Sequence, residues 1–525
     1  NDFRFPIFSL NYLKDKYPNL DGEITAVCLF EKPLKNWLGI GTTKGLSIEN
    51  YVNKLKQFKK SDIYFEKNIK KHFKRIPNIF YCPHHLSHLY TSEFLLKSSN
   101  PNTLNLVLDA YGEGQSGAIY LGQGKDIKLI KEYKASSSIG ILYSGITEWC
   151  GFKPNEDEYK VMALAGYGTK KFAKYIENNI IHLNEITLDI SINSDFFNFE
   201  DSGKDTIKKD FLQKFGNLDN NKSILEQQEI LDCICSFQFV IEKLIINLID
   251  RLLKDHKQIT QVFLSGGLFH NSKLVGEITR KLDTKILVSP SPGDSGSSIG
   301  AAYFAMLCLD KNYSNNLNNN PFLGPKIPSI NEYSHLFSQL DVNNTFEKIL
   351  EILANDEIFA VFSGYSEIGP RALLSRSLCC NAKSKTALEH LNIKIKKRES
   401  FRPVAPVIHK KYLFENFEVN SSSIENSYWM GQLVWPKESN SLTKQPFFHI
   451  DSSVRAQIYD DESNLHKKFI PKTLQRLLNE GHIIGNTSLN IAGDPMVFLP
   501  EDLYLNCKRL EIKYVLQEDL LYEVL

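Results

Sequence analysis

Short apolar runs that end on a small or acidic residue alternate with helical patterns along most of this chain, and that alternation is the strongest constraint on its fold. LNLVLDA near 104, QVFLSGG near 261 and TKILVS near 284 read as buried strands. Between them Ile230, Leu231, Ile234, Phe237, Ile241, Leu244, Ile245 and Leu248 step by one, three and four. That spacing predicts a long helix burying one face and leading into the strand before Ser265-Gly266-Gly267. The alternation implies a layered α/β fold. IFAVFSG near 358 and HIIGNTSLN near 482 carry the pattern further. The sharpest composition break, Lys311 to Ser329, is crowded with asparagine, proline and glycine. It predicts one domain over 1–330 and a second α/β domain over 331–525. A polar stretch around 192–222 reads as a surface excursion.

Lys+Arg of 62 against Asp+Glu of 61 leaves a formal net charge of +1. That argues against a general polyanion clamp for nucleic acid or acidic membrane, while leaving room for a local basic pocket. The nine cysteines include no C-x-x-C pair, so a reducing, cytoplasmic setting is expected, with neither disulfide framework nor zinc ribbon. Vicinal Cys379-Cys380 reads as packing. The apolar stretch Phe237 to Leu253 is interrupted by Glu242, Lys243, Asp250 and Arg251, short of the roughly 18 uninterrupted apolar residues of a membrane span.

His84-His85-Leu86-Ser87-His88 begins an apparent helix after the strand-like IFYC, so His84 and His88 project from one face at a spacing that suits metal ligation. Asp109 ends the LNLVLD run and Asp294 lies in the turn SPSPGDSG; open α/β sheets gather their ligands at such strand ends. Two imidazoles with carboxylates and no thiolate suit Fe(II), Zn(II) or Mn(II). Ser265-Gly266-Gly267 and PGDSGSSIGAA are two glycine- and serine-rich turns that, facing one another, would make a phosphate clamp. In the second domain Lys396, Arg398 and Arg402 stand within seven residues, ahead of a strand-like PVAPVI, where a solvated helix face is the default reading. Arg371, Arg455 and the strand end Asn486-Thr487-Ser488 add the guanidinium forks and hydroxyls that a triphosphate or acyl phosphate requires.

Nine ordered strings carry a family resemblance: HHLSH at 84, LDAYGEG at 108, NEDEYKVMALAGYG at 155, SGGLFHN at 265, SPGDSGSSIGAA at 291, GPRAL at 369, IKKRESFRPVAP at 395, HIDSSVRAQ at 449 and GNTSLN at 485. Together they resemble the carbamoyltransferases that include the nodulation-factor and tobramycin-type O-carbamoyltransferases. The resemblance implies an N-terminal actin-like ATPase domain, similar to threonylcarbamoyl-transferring tRNA enzymes, and a C-terminal α/β domain similar to threonylcarbamoyl-AMP synthases. It implies that the C-terminal domain turns carbamoyl phosphate and ATP, with Mg²⁺, into carbamoyl-adenylate and pyrophosphate. Lys396, Arg398, Arg402 and Ser488 would be catalytic there, and Arg371, Arg455, Asn486 and Thr487 would bind the nucleotide. Lys160, Gly266, Gly267 and Asn271 match motifs that line the nucleotide in the N-terminal domain.

His84, His88, Asp109 and Asp294 match the family's metal motif, with Fe²⁺ the usual ion and another divalent transition metal the alternative. There the carbamoyl group would pass to a hydroxyl of a sugar or secondary metabolite. Expected partners are carbamoyl phosphate and that small-molecule acceptor, with no nucleic acid and no membrane; a homodimer is left open. Relatives begin with a strand and turn containing His-Asp-x-Ser-Ala, which no residues near Asn1 match, so about one β-hairpin of the pattern is expected to be missing. Smaller departures are Ala110 for Gly, Gly166 for Pro and Ser295 for a second Asp. A tRNA-modifying threonylcarbamoyl enzyme and a nucleotide-binding protein without transfer activity are the other readings; the near-neutral charge favours the small-molecule acceptor.

Overall fold

The structure, a computed structural model, describes residues 6–31, 67–96, 102–123, 126–199, 206–313, 319–340, 344–438, 445–491 and 493–525. In the first half β1 (Ala26–Leu29) and β2 (Asn78–Tyr81) pair in parallel. β3 (Asn102–Gly112), β4 (Gln115–Gln123) and β5 (Asp126–Lys134) form an antiparallel meander. After a hairpin of β6 (Ile181–Asn184) and β7 (Asp189–Ile192), β8 (Gln261–Ser265) and β9 (Lys285–Val288) join in parallel beside β3, giving the order β5-β4-β3-β8-β9. A meander extended by two parallel crossover strands is an actin-like sheet order. β8 is buried along its whole length, as a parallel strand covered on both faces must be. The expected long helix runs over Gln228–Asp255 and feeds β8.

The 192–222 stretch departs from the sequence expectation. Phe196, Phe197, Phe211 and Phe215 are buried in the core, and Phe211 stacks on Phe237 of the long helix at 5.8 Å. Scattered aromatic anchors among polar residues carry more buried area than the polar average of the segment suggests.

The second half holds an eight-stranded sheet. In chain order its strands are β10 (Phe337–Gln339), β11 (Phe359–Phe362), β12 (Arg376–Asn381), β13 (Ala405–His409), β16 (Gln457–Tyr459), β17 (Ile484–Ser488), β18 (Tyr514–Gln517) and β19 (Leu520–Val524). Their spatial order is β10-β19-β18-β11-β12-β17-β13-β16, while the short β14 (Phe417–Glu418) and β15 (Trp435–Pro436) pair apart. Adjacent Cys379 and Cys380 on β12 enter different cores, and all nine cysteines are free thiols. Ile327 and Ile330 already pack into this second half. Among the described residues no helix is long and apolar enough to cross a membrane.

The halves are joined along β9, the edge of the first sheet. Ile286 N–H donates to Ser423 Oγ (2.9 Å), Val288 N–H to Asn426 Oδ1 (2.9 Å), Asn426 Nδ2 to Ile286 O (2.8 Å) and Trp429 Nε1 to Val288 O (3.0 Å). Side chains of residues 421–429 thus stand in for the missing neighbouring strand. Phe401, from the second half, is buried in the first core. Replacing Asn426 by Ala strands two buried backbone groups, each costing about 1–3 kcal/mol. Urea unfolding of Asn426→Ala is therefore expected to show a loss of roughly 2–6 kcal/mol; an unchanged midpoint would show that the side-chain bridge does not hold the halves together.

Candidate active site

His84 and His88 lie one turn apart at the start of the His84–Leu95 helix, and Asp109 projects from β3. The Asp294–Leu309 helix crosses close to them: a Cβ on Gly300 would fall 1.9 Å from Ser87 O, and Thr91 Oγ1 donates to Gly296 O at 2.8 Å. This tight contact brings Asp294, the first residue of its helix, to the histidines. One ligand atom from each of the four residues lies within 4.8 Å of the others. Asp109 Oδ2 is 3.0 Å from the Nε2 atoms of both His84 and His88, which are 3.1 Å apart. Asp294 Oδ1 stands 3.6 and 3.4 Å from the same two nitrogens.

The surroundings aim these atoms inward. Asp109 Oδ1 accepts the N–H groups of Ala110 (2.8 Å) and Gly267 (3.2 Å), leaving Oδ2 for the histidines. His84 Nδ1 lies 2.9 Å from Glu31 Oε1, and His88 Nδ1 lies 3.4 Å from Ser297 Oγ. Burial opposes charge on His84, but hydrogen bonds to Asp109 and Glu31 outweigh it and raise the imidazole to about 10. Against the same desolvation, the two histidines hold the Asp109 carboxyl well below its usual range. The cluster therefore selects for positive charge at its centre. Imidazoles anchored through Nδ1, with both Nε2 atoms converging on two carboxylates, fit a divalent transition metal. Glu31 escaped the sequence reading, although an acid two residues past the strand AVCL was its signal.

A second cluster forms where the 394–402 segment leaves helical geometry. His390–Ile395 is a π turn, Lys397 takes a left-handed φ of 46°, and Arg398 N–H bonds Asn392 O at 3.0 Å. Lys396 is thereby turned inward, 2% exposed, its Nζ donating to Ser488 O (3.0 Å), Ser488 Oγ (3.3 Å), Asn490 O (2.5 Å) and Asn490 Oδ1 (2.8 Å). Burial, reinforced by Arg398 and Arg402, lowers its ammonium to about 7. Burial also lowers Arg371 and Arg398 to about 10, and depresses Arg455, which faces Arg371, Arg398 and Arg402 and has a buried Nε without a partner. Glu399 is the carboxylate within this group, and it is shared between Lys160 (2.8 Å) and Arg402 (3.3 Å). Of these six cations only Lys160 and Arg402 are ion-paired among the described residues, Lys160 also bridging Asp157 at 3.1 Å.

The two clusters abut. Gly369, with φ 88°, presses against the SPSPGD turn so closely that a Cβ would fall 2.1 Å from Pro290 O. Two residues on, Arg371 Nη2 donates to His270 O at 3.2 Å.

Residues 32–303 match the family model for the carbamoyltransferase N-terminus, and residues 350–523 match the model for the carbamoyltransferase C-terminus. The chain belongs to the carbamoyltransferase family. An uncharacterized protein of Synechocystis is 27% identical over 99% of this chain and 90% of its own length. Nodulation protein NolNO of Sinorhizobium fredii is 26% identical over 80% of this chain, which spans 60% of that protein. The 3'-hydroxymethylcephem-O-carbamoyltransferase of Amycolatopsis lactamdurans is 25% identical over 85% of this chain and 80% of its own. The chain is thus a transferase, of a family that moves a carbamoyl group from a donor to a hydroxyl.

Other candidate residues of this carbamoyltransferase have structural partners. Gly266, at φ 93°, packs where a Cβ would meet Leu108 O at 2.1 Å, and its N–H bonds Pro292 O at 2.8 Å, tying the two glycine-rich turns to each other. Asn271 caps the Ser272–Lys281 helix through Leu274 N–H (2.9 Å) and donates to Gln238 Oε1 (2.9 Å). Asn486 Nδ2 donates to Ala372 O (2.8 Å) and Gln457 Oε1 (2.7 Å), leaving a buried, unpartnered Oδ1. Thr487 faces the opposite side of β17 from Asn486 and Ser488. Lys160, expected in the first domain's nucleotide site, reaches across the junction to Glu399. Because Glu31 holds His84 in position, Glu31→Ala is expected to weaken divalent-metal binding about 10–100-fold in equilibrium dialysis; unchanged affinity would reduce Glu31 to a bystander.

Proposed function

We propose that this carbamoyltransferase is an ATP-dependent O-carbamoyltransferase of the cytoplasm, with residues 331–525 forming carbamoyl-adenylate and residues 1–330 transferring the carbamoyl group. What carries the reading is the excess of positive charge at Lys396, Arg398, Arg402, Arg371 and Arg455, with Arg371 bonded at the seam beside the histidine and aspartate cluster. Of these five cations only Arg402 is ion-paired among the described residues, an excess of charge that suits a polyanion, and bidentate guanidinium groups match the oxygens of ATP and carbamoyl phosphate. Water removes phosphate from carbamoyl phosphate, the carbamate oxygen attacks the α-phosphorus of ATP, and pyrophosphate leaves. Lys396, Arg398 and Arg402 neutralise the charge that develops on the departing oxygens, while Ser488 holds Lys396 in place. A divalent cation at His84, His88, Asp109 and Asp294, iron(II) by family expectation, would supply Lewis-acid polarisation. An acceptor hydroxyl then takes the carbamoyl group and AMP is released; the relatives named for nodulation and for a hydroxymethylcephem point to a small organic alcohol.

Two measurements test this. Pyrophosphate release from ATP and Mg²⁺ is expected to require carbamoyl phosphate, and Arg398→Ala is expected to slow it about 100–1,000-fold while metal content stays near wild type. Release that instead requires bicarbonate and threonine would replace the donor in this scheme. The second concerns Lys396: a bound triphosphate restores the ammonium that burial pushes down to about 7, so binding above that pH takes up a proton. ATP affinity should therefore weaken as pH rises from 7 to 9, and calorimetry in buffers of different ionisation heat should register the uptake. Buffer-independent heats would remove Lys396 from the phosphate site.

A further inference from the structure

His270 closes the Gly267–His270 turn after β8 and belongs to neither cluster, yet it stands between them. A Cβ built on Gly293, the residue before Asp294, would fall 2.7 Å from His270 Nε2, so the ring lies over the turn that delivers Asp294 to the histidine pair. Its carbonyl receives Arg371 Nη2 at 3.2 Å, which fixes the residue to the cation cluster on the other side. The ring is half-buried, and among the described residues neither ring nitrogen makes a hydrogen bond to protein. Two nearby histidines differ: His85 Nε2 is sealed from solvent without a partner, and His449 Nδ1 pairs with Asp451 at 3.1 Å. His270 alone of the three combines partial exposure with ring nitrogens that make no hydrogen bond among the described residues.

We propose that His270 is the general base of carbamoyl transfer, taking the proton of the acceptor hydroxyl at a ring nitrogen; this rests on the adenylate-forming reading above. The acceptor O–H bond breaks as the oxygen bonds the carbamoyl carbon. The bond from that carbon to the AMP phosphate oxygen breaks with its electron pair on AMP, and the imidazolium then returns its proton to solvent. Burial, aided by the charge of Arg371, lowers the imidazole to about 4, so it is neutral and able to accept at neutral pH. Asp109 and Asp294 pull the other way, and a phosphate on Arg371 would relieve the repulsion that weakens the base. Basicity at His270 would therefore rise when the adenylate is in place.

The test uses the full chain with water as the probe nucleophile, because water attack on the carbamoyl-adenylate needs the same proton acceptor. Wild type, His270→Ala and His270→Gln are given ATP, Mg²⁺ and carbamoyl phosphate, and AMP formed is measured per pyrophosphate released in a single turnover. The ratio is expected to fall about 10²–10⁴-fold in both variants, with carbamoyl-adenylate accumulating and bound metal near the wild-type level. Added imidazole is expected to restore AMP formation in His270→Ala but not in His270→Gln. AMP-to-pyrophosphate ratios equal to wild type in both variants would overturn the proposal. Absence of pyrophosphate release from the wild type would overturn the adenylate-forming reading, and this proposal with it.

Discussion

The first sheet ends on a strand whose outer backbone groups are satisfied by side chains rather than by another strand, and the meeting of the two clusters depends on that junction. Ser423, Asn426 and Trp429 reach β9 from the second half, and Phe401 enters the first core from the same side. Asn426 donates and accepts at once, as a neighbouring strand's peptide would, so the register between the halves is specified rather than merely sticky. Phe401 also sits between Glu399 and Arg402. Burying its ring in the first half therefore carries the cationic segment up to Lys160 and the acids before it. Without this bridge the GPR loop could not meet the SPSPGD turn, and Arg371 would have no carbonyl to bind.

Each cluster is electrostatically unfinished in the protein alone, in opposite senses. Around Asp109 the donors are lone pairs and carboxylates converging on one point, which cations complete. Around Lys396 the donors are N–H groups with one shared acid, which anions complete. Isolated buried charge costs several kcal/mol per ion, so each arrangement gains from a ligand of the opposite sign. Protons partly satisfy the first cluster by charging His84. The second partly satisfies itself by weakening its own charges, as the lowered Lys396 and Arg455 ammonium and guanidinium groups do. Ligands of opposite charge brought to adjoining sites would relieve both at once.

Much of this was legible in the chain, for a physical reason that also marks where legibility ended. Strand ends were readable because parallel strands buried on both faces leave near-continuous apolar runs, so LNLVLD and QVFLS led directly to Asp109 and Gly266. The i, i+4 pair His84 and His88 needed only helical periodicity. What periodicity does not encode is what a polar atom bonds once it is in place. Asn271 has the composition of a nucleotide contact but caps a helix, and Asn486 holds Ala372 and Gln457 through its amide. Thr487 shares a motif with Ser488 but, one residue off in a strand, takes the other face. Lys397 in the left-handed region breaks a stretch that composition makes helical, and that break is what buries Lys396. Glu31 and Lys160 gain their roles from long-range contacts to His84 and Glu399, and local pattern does not name those partners.

The adjacency of the clusters constrains the chemistry more than either cluster does. A mixed anhydride of carbamate and AMP is an activated acyl donor, and release into bulk water would expose it to hydrolysis before an acceptor could be met. Two sites on one chain solve this only if no solvent gap separates them. The backbone carbonyl of His270 accepts from Arg371 while its ring overlies the residue before Asp294, so a single residue spans the boundary. Gly369 lies at this seam, where a Cβ would fall 2.1 Å from Pro290 O, so the two halves meet there backbone to backbone. Under the proposed function, a carbamoyl group made beside Arg371 would cross only the seam at His270 to reach the histidine and aspartate cluster. Under the same reading, transfer across this seam would need no separation of the halves.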